Sequence, residues 1–260
     1  MIFLKTDEEI ELMRISNDIV AHALAEVGKN VKPGITTLQL DKIAETFIRD
    51  NGANPSFLGY EGYTNSICTS VNDQVVHAIP SKYVLKEGDI ISVDCGAEKS
   101  GFHGDSCYTF CVGEVSEEAR QLLKTTRESL YEGIKFAVEG KRIGDVGHAI
   151  QTYCENRGYS VVHGMNGHGI GRSLHEEPRV PNYGKSGFGT KLKTGMVIAI
   201  EPMINLGNEN IYFADDGWTA KTSDGKISAH FEHTVAIAKG QADILSSFKY
   251  IDEILENNVK

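Results

Sequence analysis

The chain has 260 residues, 40% of them hydrophobic and 24% charged, with a formal net charge of −10. That length supports one large domain or two fused small ones with a buried core, and the composition is that of an ordinary globular protein. The negative total argues against a specific nucleic-acid partner, though a local basic patch for transient contact with the ribosome stays compatible with it.

Thr6-Asp7-Glu8-Glu9 reads as a capping box opening a helix. Ile10, Met13, Val20, Leu24 and Val27 continue it at helical spacing up to Gly28. Leu40, Ile43, Ala44, Phe47 and Ile48 predict a second helix, ended by Gly52. Strand-like runs follow at Ser66–Ile79, Asp89–Cys95 and Cys107–Val112. The pattern then restarts. Ser116 caps a helix with Glu117 and Glu118 in its first turn, and Val146, Ala149, Ile150 and Tyr153 mark another before Gly158. Strands return at Met196–Met203 and Ser228–Ala238, and Asn205–Asp224, with two Asp-Gly turn signals, reads as an inserted hairpin.

The residues repeat as well as the elements. Leu85-Lys86-Glu87-Gly88-Asp89-Ile90-Ile91-Ser92-Val93-Asp94 matches Leu192-Lys193-Thr194-Gly195-Met196-Val197-Ile198-Ala199-Ile200-Glu201, and His103-Gly104-Asp105 aligns with His230-Phe231-Glu232. An internal duplication over roughly 7–115 and 116–240 therefore predicts α/β halves of helix, helix and strands related by a pseudo-twofold axis, all within one domain spanning 1–260. Each half supplies two acids in matching contexts. Carboxylates converging on such an axis repel one another unless cations neutralise them, and the strands carry no evident lysine or arginine beside them. Oxygen ligands with a histidine suit Mn, Fe, Co or Zn, as two ions sharing bridging carboxylates. His168, in Gly167-His168-Gly169-Ile170-Gly171, is the leading nitrogen donor.

The remaining signals exclude rather than assign. Gly-His-Gly-Ile-Gly lacks a following Lys-Ser/Thr, so it is not a phosphate loop, and His175-Glu176-Glu177-Pro178 is not a thermolysin-like zinc helix. His22 and His148 read as helix-surface residues, while His163 and His233 stay ambiguous neighbours of the site. Five cysteines without a C-x-x-C pair give no disulfide framework and are expected reduced and mostly buried, in a cytoplasmic protein. No signal peptide is visible at the start, and no run approaches the roughly 18 apolar residues of a membrane span.

Taken together, Asp94, Asp105, His168, Glu201 and Glu232 resemble the five-ligand set of the type I, bacterial-type methionine aminopeptidases and their creatinase and prolidase relatives. H-G-I-G-R at His168–Arg172, H-E-E-P at His175–Pro178, I-E-P-M at Ile200–Met203, D-G-W at Asp216–Trp218, E-H-T at Glu232–Thr234 and G-Y-x-G-Y at Gly59–Tyr63 carry the likeness, from about Leu12 to Lys239. The resemblance implies the pita-bread fold and a cytoplasmic monomer that cleaves the initiator methionine from nascent polypeptides with a small second residue. It also implies roles. Asp105 and Glu232 would bridge two divalent ions, Asp94 would hold one, and His168 with Glu201 the other, with a water between them as nucleophile. Glu201 would be the general base, His175 would polarise the scissile carbonyl and His77 would contact the scissile amide. Tyr60, Tyr63, Cys68 and Trp218 match the methionine pocket. Phe57 and Leu174 fill pocket positions where cysteine and an aromatic residue are usual, Glu61 stands for a histidine and Ala78 for a glycine. Proline-directed relatives, the aminopeptidases P and prolidases, are the alternative within the class, and usually carry a further N-terminal domain.

Overall fold

The computed structural model describes residues 1–258. The first half runs through α1 (Asp7–Gly28), α2 (Thr37–Asp50), the short β1 (Asn54–Pro55), β2 (Ile67–Val71), β3 (Gln74–Val76), β4 (Ile90–Lys99) and β5 (Phe102–Cys111). The second runs through α3 (Glu117–Ile134), α4 (Ile143–Glu155), β6 (Ser160–Val161), β7 (Asn166–Gly169), β8 (Glu176–Pro181), β9 (Val197–Ile200) and β10 (Met203–Asn205). It continues with β11 (Ile211–Phe213), β12 (Ala220–Thr222), β13 (Ser228–His230) and β14 (Glu232–Ala236), before β15 (Asp243–Ile244) and α5 (Lys249–Asn258).

The helix starts follow local chemistry. Thr6 Oγ1 accepts from Glu9 N at 3.3 Å while Glu9 Oε2 accepts from Thr6 N at 3.1 Å, so two otherwise orphaned N–H groups are satisfied reciprocally. Thr36 and Gln39 repeat the device at α2, and Ser116 Oγ caps α3 by accepting from Ala119 N at 3.2 Å.

The principal sheet has the order β1-β4-β5-β14-β9-β7-β8, with β2 also paired to β4 and β15 to β14. Antiparallel β4–β5 from the first half meets antiparallel β9–β14 from the second through a β5–β14 pair. One buried cluster runs across both halves, including Leu24, Val93 and Phe110 from the first and Leu122, Ile198 and Phe231 from the second. Helix α1 packs on β4 and β5, and α3 packs on α4 and the strands of the second half. This is the duplicated α/β arrangement that the internal repeat predicts and the pita-bread fold that the family resemblance implies.

The elements differ from expectation in several places, among them the run Ser228–Ala238, which breaks at Phe231 into β13 and β14 in different sheets. The run Ser66–Ile79 is two strands, because Asn72 adopts a left-handed φ of 54° that turns the chain between β2 and β3. The run Met196–Met203 breaks at Glu201-Pro202, since proline has no N–H to continue the ladder. Helix α5 lies beyond the last element that the sequence pattern predicts. The inserted hairpin is present as β11–β12, and its second strand pairs with β3 of the first half. Among the described residues no helix is long and apolar enough to cross a membrane. The five cysteines are free, four of them buried and Cys111 half-buried.

Candidate metal centre

Strand register assembles the acids. Asp94 on β4 lies opposite Cys107 on β5, and Cys107 lies opposite Glu232 on β14. Directly paired residues share a sheet face, as do residues two apart along a strand, so Asp94, Asp105 and Glu232 all project to one side. Glu201 follows directly on β9, whose last residue, Ile200, stands opposite His233. All four carboxylates are buried, with relative exposures of 2–8%.

His168 closes the group from β7. Its Nε2 lies 3.8 Å from both Asp105 Oδ2 and Glu201 Oε1. Donor atoms of Asp105, His168 and Glu232 fall within 4.8 Å of one another. The Nδ1 of His168 is 2.9 Å from the Gly169 carbonyl. A carbonyl only accepts, so Nδ1 carries the proton and Nε2 presents its lone pair to the cluster. The flanking glycines are needed for strand packing: a Cβ at Gly167 would lie 2.3 Å from Ala199 O, and one at Gly169 2.3 Å from Glu177 O.

The electrostatics of these residues call for a cation. Burial raises the Asp94 carboxyl to about 7 and Glu201 to about 8. Asp105 and Glu232 are also raised, first by burial and then by the neighbouring carboxylates. Burial pushes His168 down to about 3. Among the described residues no lysine or arginine forms an ion pair with any of the four acids. Asp94 Oδ1, Asp105 Oδ1 and Glu232 Oε1 are buried without a hydrogen-bond partner. Three orphaned oxygens, a neutral imidazole and no protein cation make a donor set fitted to divalent metal. The supports behind it are fixed by hydrogen bonds: Thr234 Oγ1 donates to Asp105 O at 2.7 Å, Ser106 Oγ to Glu232 O at 2.7 Å, and Asn182 Nδ2 to Glu201 O at 2.9 Å.

A cavity of about 140 Å³ opens from the acids. Its walls bring together the five expected ligands Asp94, Asp105, His168, Glu201 and Glu232, with His77 and His175, and the expected pocket residues Phe57, Tyr60, Tyr63, Cys68, Leu174 and Trp218. Trp218 reaches the cavity because the β11–β12 hairpin folds onto the first half; its ring meets Tyr63 edge to face at 5.1 Å. Tyr60 Oη is 2.8 Å from His175 Nδ1, and the rings of His168 and His175 stand edge to face at 4.2 Å. His77 takes a left-handed φ of 61°, strained for a residue with a Cβ, and burial lowers it to about 4. Glu61, another left-handed residue, also lines the cavity.

Two ambiguous histidines resolve away from the cavity. His233 points to Ser246 and Tyr131, and His163 packs on Tyr183. One residue of the centre carries no role in the family resemblance: His230, 1% exposed, whose Nε2 stands 3.5 Å from Glu201 Oε2. Its signal was the alignment of His103 with His230 in the internal repeat.

This fold, with buried carboxylates and a histidine lining one cavity, defines a metallopeptidase of the duplicated α/β kind. The model of Metallopeptidase family M24 matches residues 11–239, and the chain belongs to that family. It is 51% identical over 246 residues to methionine aminopeptidase 1 of Bacillus subtilis, covering 95% of this chain and 99% of that one. It is likewise 51% identical over 249 residues to the methionine aminopeptidase of Clostridium perfringens, covering 96% and 100%. The crystal structure of methionine aminopeptidase from Rickettsia prowazekii superposes with a TM-score of 0.94 at 39% identity, covering 95% of this chain and all of that one.

Proposed function

We propose that this chain is a metal-dependent aminopeptidase that removes the N-terminal methionine from new polypeptides, using one catalytic unit built from both halves. One observation carries the reading: orphaned carboxylate oxygens and a short apolar cavity share the same walls. The near-full-length likeness to named methionine aminopeptidases supports the substrate.

Asp94, Asp105, His168, Glu201 and Glu232 would together hold two divalent ions, of Co, Mn, Fe or Zn. When bound, such ions acidify water and supply a hydroxide nucleophile near neutral pH. The protein residues do the rest. Tyr60, Tyr63, Cys68 and Trp218, with Phe57 and Leu174, take the methionine side chain; aromatic edges and a thiol suit a thioether. Glu201 accepts the proton of the attacking water and passes it on. His175, oriented by Tyr60, donates a hydrogen bond to the oxygen of the scissile carbonyl as charge develops there. His77 contacts the scissile amide beside the departing amine. The free amino group of the substrate would meet the metal centre, which would restrict cleavage to the chain end. The same reading places the enzyme in the cytoplasm, acting as a monomer on nascent chains at the ribosome, with preference for a small second residue.

The test is methionine release from Met-Gly and Met-Lys peptides by metal-stripped protein, with each ion restored singly. Restored cleavage of these peptides supports the reading. Cleavage of X-Pro peptides instead would assign a proline-directed activity, and peptide binding without cleavage by fully metallated protein would make the chain a binding module.

A further inference from the structure

His230 is the one buried histidine at the metal centre to which the reading above gives no task. Strand β13 fixes its backbone: His230 N donates to Thr109 Oγ1 at 3.0 Å, and His230 O accepts from Thr109 Oγ1 at 2.6 Å. Pairing with Met203 on β10 holds it from the other side. The ring is thus delivered to a set position, 1% exposed, and its Nε2 is buried without a hydrogen-bond partner. Buried ring nitrogens are rarely left so.

Glu201 lies between two imidazoles. His168 Nε2 is 3.8 Å from Oε1, and His230 Nε2 is 3.5 Å from Oε2. The backbone of Glu201 is restrained by Pro202 and by the hydrogen bond from Asn182 to its carbonyl. Its carboxylate plane is not restrained in this way, because the last torsion of a glutamate is broad. A donor on Oε2 would set that plane and aim Oε1 at the side of the cluster where His168 stands. The 3.5 Å separation is just beyond a made hydrogen bond. A closure of about 0.5 Å converts it to a charge-assisted one.

We propose that His230 is a positioning residue: its Nε2–H donates to Glu201 Oε2, fixing the carboxylate plane so that Oε1 is presented to metal and Glu201 keeps one defined orientation as it moves the proton. This rests on the reading of Glu201 as ligand and proton acceptor. His230 itself coordinates nothing. It is a donor behind a ligand, a class of contact whose loss typically weakens metal affinity or activity 10–100-fold.

The experiment compares His230→Ala, His230→Gln and Glu201→Gln with the parent protein. Each metal-stripped protein is titrated with Mn²⁺ by calorimetry, melted thermally, and assayed on a Met-Gly peptide. His230→Ala should lose 10–100-fold in Mn²⁺ affinity, with kcat falling and KM for the peptide little changed. His230→Gln keeps an N–H donor of similar reach without an imidazole, and should recover most of both losses. The proposal is overturned if His230→Ala binds Mn²⁺ and turns over like the parent. It is also overturned if His230→Gln, melting like the parent, is as impaired as His230→Ala, because the imidazole nitrogen would then itself be a ligand. Glu201→Gln separates the two levels of the argument: its inactivity upholds the role of Glu201 even where His230 proves dispensable, whereas full activity removes that role and the proposal with it.

Discussion

Lys5 Nζ lies 2.6 Å from Glu176 Oε2, joining the segment before α1 to the residue that follows His175. Both side chains are almost fully enclosed, at 5% and 7% exposure. The pair is seated at both ends, since Lys5 N donates to Gly195 O at 2.7 Å and Glu176 Oε1 accepts from Ser173 N at 3.2 Å. The loop bearing His175 is therefore braced by the N-terminal strap, 171 residues away in sequence.

Lys5→Met leaves a buried, unpaired carboxylate at Glu176. Breaking such a pair from one side costs about 3–5 kcal/mol. At about 2–4 °C per kcal/mol for a protein near this size, the melting temperature should fall by roughly 6–20 °C. The double variant Lys5→Met, Glu176→Met should recover part of the loss, since an apolar pair removes the stranded charge. Thermal melts of the three proteins check this, and a double variant no better than the single one contradicts it.

Gly104 lies where α1 crosses β5. A Cβ there would be 2.6 Å from Asn17 N and 2.7 Å from Ser16 C, both backbone atoms that cannot swing aside. Gly104→Ala should destabilise the protein by about 1–3 kcal/mol through overpacking. Because the next residue is Asp105, Mn²⁺ uptake should weaken as well. Chemical denaturation with calorimetry measures both; a fully stable alanine variant would show that the helix can retreat.

Glu232→Ala removes an acid shared by the cluster and one of the orphaned oxygens. Metal content and turnover should fall together, with activity lost. His175→Ala should behave differently, because His175 lies to the side of the acids and bonds Tyr60 rather than a carboxylate. Its kcat should fall with metal content near that of the parent. Metal analysis beside peptide assays separates the two, and parallel loss of metal and rate in His175→Ala would count against its place at the carbonyl.

Asp145 near the start of α4 accepts hydrogen bonds from Arg142 N at 2.8 Å and from Ser186 Oγ and Gly187 N at 2.7 Å. These bonds outweigh its desolvation and hold it below the ordinary value of 3.8. A depressed carboxylate contributes stability that is fully present above its unfolded value and disappears as pH falls through the folded one. Asp145→Asn should therefore melt roughly 2–4 °C lower near neutrality, for a capping loss of about 1 kcal/mol. The gap should close as pH drops below 3.8. Melting temperature against pH for both proteins is the measurement, and a gap independent of pH would refute the assignment.

Much of the site could be read from residue patterns because duplication prints the same signal twice. Leu85–Asp94 and Leu192–Glu201 announce matching strands, and the acids that end them are informative only as a pair. Thr6 and Glu9 declared their helix start because a capping box is local chemistry. What stayed hidden was long-range. Nothing near Trp218 says that its hairpin will pair with Gln74–Val76 and meet Tyr63. Nor does anything beside His233 and His230, three residues apart, say that one faces Ser246 and the other Glu201. Helix α5 was missed because its apolar residues, Ile251 and Ile254 among them, acquire meaning only against the core they cover.

The seam where β5 meets β14 has a consequence for how the molecule could be divided. A nick in the turn between Cys111 and Glu117 would leave one fragment with Asp94, Asp105, His77 and Tyr63, and the other with His168, His175, Glu201, Glu232 and Trp218. Neither piece carries a whole cage or a whole pocket. Hydrolysis would return only on reassociation of the two, and its dependence on fragment concentration would report directly on the strength of that central strand pair.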